Sequence, residues 1–150
     1  MKSEKFRNVV ESHHLMYLSN ILNLRINTKN GIDLTNDEIA VELKCRYQIY
    51  GKRFAVHAYQ VDQFERQNAD KKLYWCFLCY RLSKEPKQIR GKDLESYFVS
   101  GEAWFLNWNW IRQFPIATGP KTGPYIYVGI KDFYDKIKFN TFQKNKYSLH

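Results

Sequence analysis

Between Asn30 and Tyr47 the chain reads NGIDLTNDEIAVELKCRY, and this stretch constrains the fold more than any other. Asn30-Gly31 is a turn signal. Gly31–Leu34 and Ile39–Tyr47 are apolar, β-branched runs separated by the polar TNDE, which is the pattern of a β-hairpin. The runs nevertheless carry an acid inside an apolar triplet, Ile32-Asp33-Leu34, and an acid and a base two residues apart, Glu42 and Lys44. Successive strand residues point to opposite faces. Ile39, Val41 and Leu43 therefore take a core face, while Ala40, Glu42 and Lys44 share the other. A two-residue turn at Asn36-Asp37 would pair Thr35 with Glu38, Leu34 with Ile39 and Asp33 with Ala40. Directly opposed residues of an antiparallel pair face the same way, so Asp33 joins Glu42 and Lys44. As diagonal neighbours, Asp33 and Glu42 would have Cα atoms roughly 7–8 Å apart. The expectation depends on register, because a one-residue slip sends Asp33 to the opposite face.

Two ionised carboxylates on one surface repel each other, and a cation relieves the repulsion. Mg²⁺ suits such a pair because it takes oxygen ligands and keeps several waters. Bound there, it makes its water a better nucleophile and stabilises charge developing on a phosphate. Lys44 would orient that water or offset charge on the scissile phosphate. A solvated strand edge with a surface ion pair has the same spacing, so spacing alone does not choose between them.

The rest of the chain supplies context. Phe6, Val9, Val10, His13, Met16, Tyr17 and Ile21 recur at helical spacing over Ser3–Leu22. LRIN starts a strand. IYGKR reads as a loop and AVHAYQVDQFERQNAD, Ala55 to Asp70, as a helix. Leu73–Leu82 reads as a strand, as do AWFLNWNWIRQF and YIYVGI. SKEPKQIRGKDLESYF is a loop with a helix at its end. PIATGPKTGP is a loop by its Gly and Pro content. The basic tail is expected to be part helical. This order predicts an α/β domain with a mixed central β-sheet flanked by helices. The 150 residues form one domain with enough chain to bury a core.

Charge narrows the function classes. Twenty-four basic against fifteen acidic residues give a net charge of +9, which attracts polyanions, nucleic acid first among them. No run approaches the roughly 20 apolar residues of a membrane span, and charges interrupt the N-terminal MKSEKFRNVVESHHLMY where a signal peptide needs a continuous apolar stretch. A soluble, cytoplasmic protein is expected. Cys76 and Cys79 have CxxC spacing, but three residues apart on a strand they face opposite sides. A shared metal is therefore not expected, and three cysteines without a framework fit a reducing compartment.

Asp33, Glu42 and Lys44 in this order resemble the motif of the PD-(D/E)XK nuclease superfamily, the restriction-endonuclease-like fold. Ile32-Asp33 stands for the "PD", with Ile32 replacing the proline, and Glu42-Leu43-Lys44 for the "(D/E)XK". The resemblance implies catalytic residues Glu11, Asp33, Glu42 and Lys44, with Asp33, Glu42 and Glu11 holding Mg²⁺ or, in its place, Mn²⁺. It also implies a helix and then a buried strand after the hairpin, which AVHAYQVDQFERQNAD and LYWCFLCYRL match. Gln60 and Gln63 would then lie near the site, although an exposed polar helix face explains them equally well. In length, in FRNVVESHHLMY, in the hairpin and in EAWFLNWNWIRQF, the chain is similar to small bacterial homing endonucleases encoded by group I introns. That implies a site-specific double-strand DNA endonuclease, nucleoid-associated, acting as a dimer or tetramer. A Holliday junction resolvase type of nuclease and a non-catalytic DNA-binding module are the alternatives. Arg46, Lys52, Arg53 and Lys121 are further candidates for gripping the DNA backbone. His13-His14 suit phosphate or metal contact, but on an amphipathic helix they also suit a structural role. Trp104, Leu106, Trp108 and Trp110 alternate onto one face, expected to be core or a subunit contact. The lysines of the tail, Lys131 to Lys146, would add salt-dependent affinity for DNA.

Overall fold

A computed structural model describes residues 2–29, 31–47, 53–119, 123–140 and 149. Helix α1 (Lys2–Leu22) leads into the short strands β1 (Arg25–Ile26) and β2 (Leu34–Thr35), then the long β3 (Ile39–Tyr47). Strand β4 (Arg53–His57) runs directly into α2 (Ala58–Gln67), and β5 (Lys72–Leu82) follows. Two 3-10 turns (Pro86–Gln88 and Gly91–Tyr97) precede β6 (Phe98–Asn107), and a third (Trp108–Gln113) follows it. The chain then forms β7 (Ile116–Ala117), β8 (Tyr125–Gly129), α3 (Ile130–Phe133) and β9 (Lys138–Asn140). A six-stranded sheet has the order β1-β2-β3-β5-β6-β9, and a three-stranded sheet the order β4-β8-β7. β3 and β5 are parallel and the other pairs antiparallel, so the central sheet is mixed and the class is α/β, as expected.

Strand β5 organises the interior. Apart from Lys72 and Arg81 it is buried along its length, because both faces of the large sheet are covered. Tyr74, Cys76, Leu78, Tyr80 and Leu82 pack with Val41, Leu43 and the α1 residues Val10, Leu18 and Ile21. Leu73, Trp75, Phe77 and Cys79 pack on the other face, against Phe54 and Val56 of β4, Val61 and Phe64 of α2, and Ile126 and Val128 of β8. Cys76 and Cys79 thus lie on opposite faces, as strand geometry requires. Two indoles tie α2 to the sheet. Trp75 and Trp108 stack with centroids 3.9 Å apart, Trp75 Nε1 donates to the Trp108 carbonyl at 3.0 Å, and Trp108 Nε1 donates to the Val61 carbonyl at 2.9 Å.

Five sequence expectations need correction. The strand expected over Gly31–Leu34 is only Leu34–Thr35, and PIATGPKTGP, expected to be a loop, contains strand β7. Three more bear on the site. The helix expected from Ala55 begins only at Ala58. Phe54 and Val56 alternate inward and pair with Val128 and Ile126 as strand β4, a period-2 signal masked by the helical period that follows. The strand expected through Phe114 ends at Asn107, whose side chain accepts from Asn109 N and opens a 3-10 turn. Trp104, Leu106 and Trp108 are buried in the core all the same. The last correction is the hairpin register. Leu34 pairs with Val41 and Thr35 with Ala40, rather than with Ile39 and Glu38. Asn36 causes the wider turn: its Oδ1 accepts from Glu38 N at 2.8 Å and Ile39 N at 2.7 Å, the local turn that short amide side chains favour. Ahead of the hairpin, Gly31 takes φ +138°, which a side chain would resist.

Candidate active site

The corrected register is displaced by two residues, and an even displacement keeps every side chain on its expected face. The ladder continued by one position sets Asp33 beside Glu42. They are joined directly: Asp33 N donates to Glu42 Oε1 at 3.2 Å, and Leu43 N donates to Asp33 Oδ2 at 2.8 Å. Since β2 contains only Leu34 and Thr35, the Asp33 carboxylate takes the place of a further strand residue along β3.

Glu42 pairs with Trp75, and Lys44 with Phe77, in the β3–β5 ladder, so both side chains project from the face that also carries α2. Glu42 is 5% exposed. Burial pushes its carboxyl pKa well above the ordinary value, Asp33 pushes it the same way, and the Lys44 ammonium only partly opposes them. Lys44 Nζ donates to Glu42 Oε2 at 3.2 Å and to Gln60 Oε1 at 2.8 Å. Gln60, on the first turn of α2, thereby ties the helix to the hairpin. The structure brings together Asp33, Glu42, Lys44 and Gln60.

The other candidates are more dispersed. Glu11 is half-buried on α1, the helix that packs on the opposite face of the sheet. Its charge is felt at Cys45, whose thiol pKa is raised by burial first, then by Cys76, Glu11 and Asp33. Gln63 is half-buried on α2 and Arg46 half-buried on β3. Arg53 is exposed on β4, with its guanidinium 4.3 Å from the Tyr127 ring centroid. Lys52 and Lys121 lie outside the described residues. His13 and His14 belong to an aromatic cluster: His13 stacks on Phe98 at 4.7 Å, and His14 is 5.2 Å from Tyr80. His14 is buried with Nε2 unpartnered, and burial lowers its pKa to about 3. That is a core histidine, so a phosphate-binding role for it finds no support here. Sequence reasoning missed His57 at the end of β4. Its pKa is lowered by burial and then by the charge of Lys44, which places it within electrostatic reach of the site. The alternation of Phe54 and Val56 was the available signal.

A divalent cation fits the chemistry of the pair. A nearly buried carboxylate beside a second carboxylate is short of positive charge, and Mg²⁺ is commonly held by only one or two carboxylates plus waters. Among the described residues no group of three His, Cys, Asp or Glu side chains is arranged to hold a metal ion. No helix among them is long and apolar enough to cross a membrane. Neither a scan against protein-family models nor a search of curated proteins finds a match to the chain.

Proposed function

We propose that the chain is a Mg²⁺-dependent DNA endonuclease of the restriction-endonuclease-like fold, with Mn²⁺ as a substitute cofactor. The observation that supports this most is the convergence of Asp33, Glu42 and Lys44 on one sheet face, with Glu42 buried and Lys44 held between Glu42 and Gln60. Asp33 and Glu42 would hold the metal; Glu11, the third carboxylate expected from the sequence, lies on α1 against the opposite face of the sheet and is left out of this site. A metal held there would supply an activated water and offset charge developing on the phosphate. Lys44 positions the attacking water or offsets charge on the scissile phosphate, and Gln60 fixes the direction of its ammonium. The net charge of +9 favours a polyanionic substrate. One such site cuts one strand, so double-strand cleavage needs a dimer, or a tetramer for a long target. The narrower reading, an intron-encoded homing endonuclease working on chromosomal DNA in the cytoplasm, rests on the likeness of FRNVVESHHLMY and EAWFLNWNWIRQF.

One observation favours a different reading. Both carboxylates already accept backbone hydrogen bonds, as they would in a non-catalytic DNA-binding module that uses them only to secure the hairpin. Nicking of supercoiled plasmid with Mg²⁺ separates the two. Wild type should cut and Asp33→Asn, Glu42→Gln and Lys44→Met should not; equal cutting by all four proteins sinks the nuclease assignment. A four-way junction offered alongside linear duplex tests the resolvase alternative.

A further inference from the structure

The three-stranded sheet buries one face and leaves the other partly exposed. Phe54, Val56, Ile126 and Val128 point into the core, so the residues between them point out. In the β4–β8 ladder, Ala55 opposes Tyr127 and His57 opposes Tyr125, which sets these rings in one row. Tyr125 and Tyr127 have centroids 6.0 Å apart. His57 lies 4.5 Å from Tyr125 and 5.2 Å from Tyr59, which is 56% exposed at the start of α2. Neighbouring rings are tilted against one another by 33° to 39°. Arg53 closes the far end of the row over Tyr127. Arg53, Ala55 and Ala117 on this face are exposed, and no outward position of these three strands holds an acid.

A row of touching, partly exposed aromatics leaves ring faces open to a stacking partner. A sheet face bearing such rings and a cation is a platform for unpaired bases, since every base offers a π-face whatever its sequence. The row also passes near the candidate active site: His57 ends β4 where it runs straight into α2, whose Gln60 holds the Lys44 ammonium at 2.8 Å.

We infer that the outward face of the β4–β8 sheet binds a single-stranded nucleic-acid segment, with about two or three bases stacked on Tyr127, Tyr125, His57 and Tyr59 and Arg53 at a phosphate. This goes beyond cleavage and does not require it. Binding is therefore measured in EDTA, where a failed nuclease assignment leaves the result unaffected.

The test is fluorescence anisotropy with a labelled dT15, a labelled rU15 and a blunt duplex, using the full chain. Wild type should bind the single strands. Tyr125→Leu/Tyr127→Leu should weaken that binding at least about fivefold per ring, with a smaller effect on the duplex. Tyr125→Phe/Tyr127→Phe should stay within about twofold of wild type, because stacking needs the ring and not the hydroxyl. The ratio of dT15 to rU15 affinity identifies the preferred strand chemistry. Unchanged binding by the Leu pair, or equal loss in the Phe pair, overturns the inference. So does a Leu pair that binds normally but no longer self-associates, which would make the face a subunit contact. Matching thermal melts of the two pairs exclude misfolding as the cause.

Discussion

Asp33 and Glu42 hold each other through the backbone: the Asp33 N–H donates to the Glu42 carboxylate at 3.2 Å, while the Asp33 carboxylate accepts the next N–H of β3, that of Leu43, at 2.8 Å. The same two side chains that would bind a cation therefore fasten the end of the hairpin. Structural and chemical roles overlap here, and variants have to be chosen to separate them.

Asp33→Asn and Asp33→Ala should do so. Asn keeps an oxygen for the Leu43 N–H and removes the charge, so its stability should stay near wild type while Mg²⁺-dependent nicking is lost. Ala also leaves the N–H without its partner, at a cost of about 1–3 kcal/mol. Urea unfolding beside the nicking assay reads both quantities. Equal stability of Asn and Ala variants would show that the Asp33–Leu43 bond contributes little.

Glu42 should destabilise the protein at neutral pH. Its folded pKa is raised, chiefly by burial, so the native state binds more protons than the unfolded chain between the ordinary carboxyl pKa and the raised one. Stability must then fall as pH rises through that window. Glu42→Gln removes the titration and should melt higher than wild type at pH 7, with the gap closing as pH falls towards the ordinary carboxylate range. A gain of about 1 kcal/mol would read as about 2–4 °C at this chain length. A variant that melts lower than wild type at pH 7 would show that the Lys44 ion pair outweighs the cost of burial.

Mg²⁺ should reverse that penalty. A ligand that binds only the native state raises stability in proportion to RT ln(1 + [L]/Kd). Millimolar Mg²⁺ should raise the melting temperature of wild type but not of Glu42→Gln or Asp33→Asn, as read by differential scanning fluorimetry without DNA. Equal shifts in all three would place the cation elsewhere.

Gln60 should act through Lys44. It accepts from the ammonium at 2.8 Å, so Gln60→Ala removes one of the two acceptors that fix Lys44 and leaves the bond to Glu42. Cleavage should fall by about tenfold, far less than in Lys44→Met, and the pH–rate profile should shift because the balance of charge around Glu42 changes. A profile superimposable on wild type would make Gln60 a bystander.

The site was more legible in the sequence than its geometry. Asp33, Glu42 and Lys44 share a face in either register, because the Asn36 turn displaced the pairing by two residues, not one. Parity survived where the exact partners did not. Strand β4 was hidden for a different reason: its five residues precede α2 without a break, and Val56, Tyr59 and Phe64 fall at helical spacing across the junction. The contact of Gln60 with Lys44 was anticipated only as proximity, since helix phase against a sheet is set by tertiary packing, here by Trp108 holding the Val61 carbonyl. The Tyr125–His57 row could not be read at all without pairing β4 to β8, which are far apart in sequence.

His14 should give the protein an acid limit opposite in slope to the Glu42 effect. Its pKa is lowered by burial, and secondarily by His13, to about 3, from an ordinary value of 6.5. Between those two values the unfolded chain binds a proton that the native state excludes, so stability must rise with pH across that window and be lost as pH falls through it. The buried Nε2 has no partner, so an apolar side chain of similar size loses no hydrogen bond at this atom. His14→Leu should therefore match or exceed wild-type stability at pH 7 and lose less of it by pH 4. Urea titrations at pH 7, 6, 5 and 4 give the comparison directly. Parallel pH profiles for the two proteins would mean that other groups set the acid limit, whereas a flattened profile in His14→Leu assigns it to the aromatic cluster of Tyr80 and Phe98 that keeps this imidazole neutral.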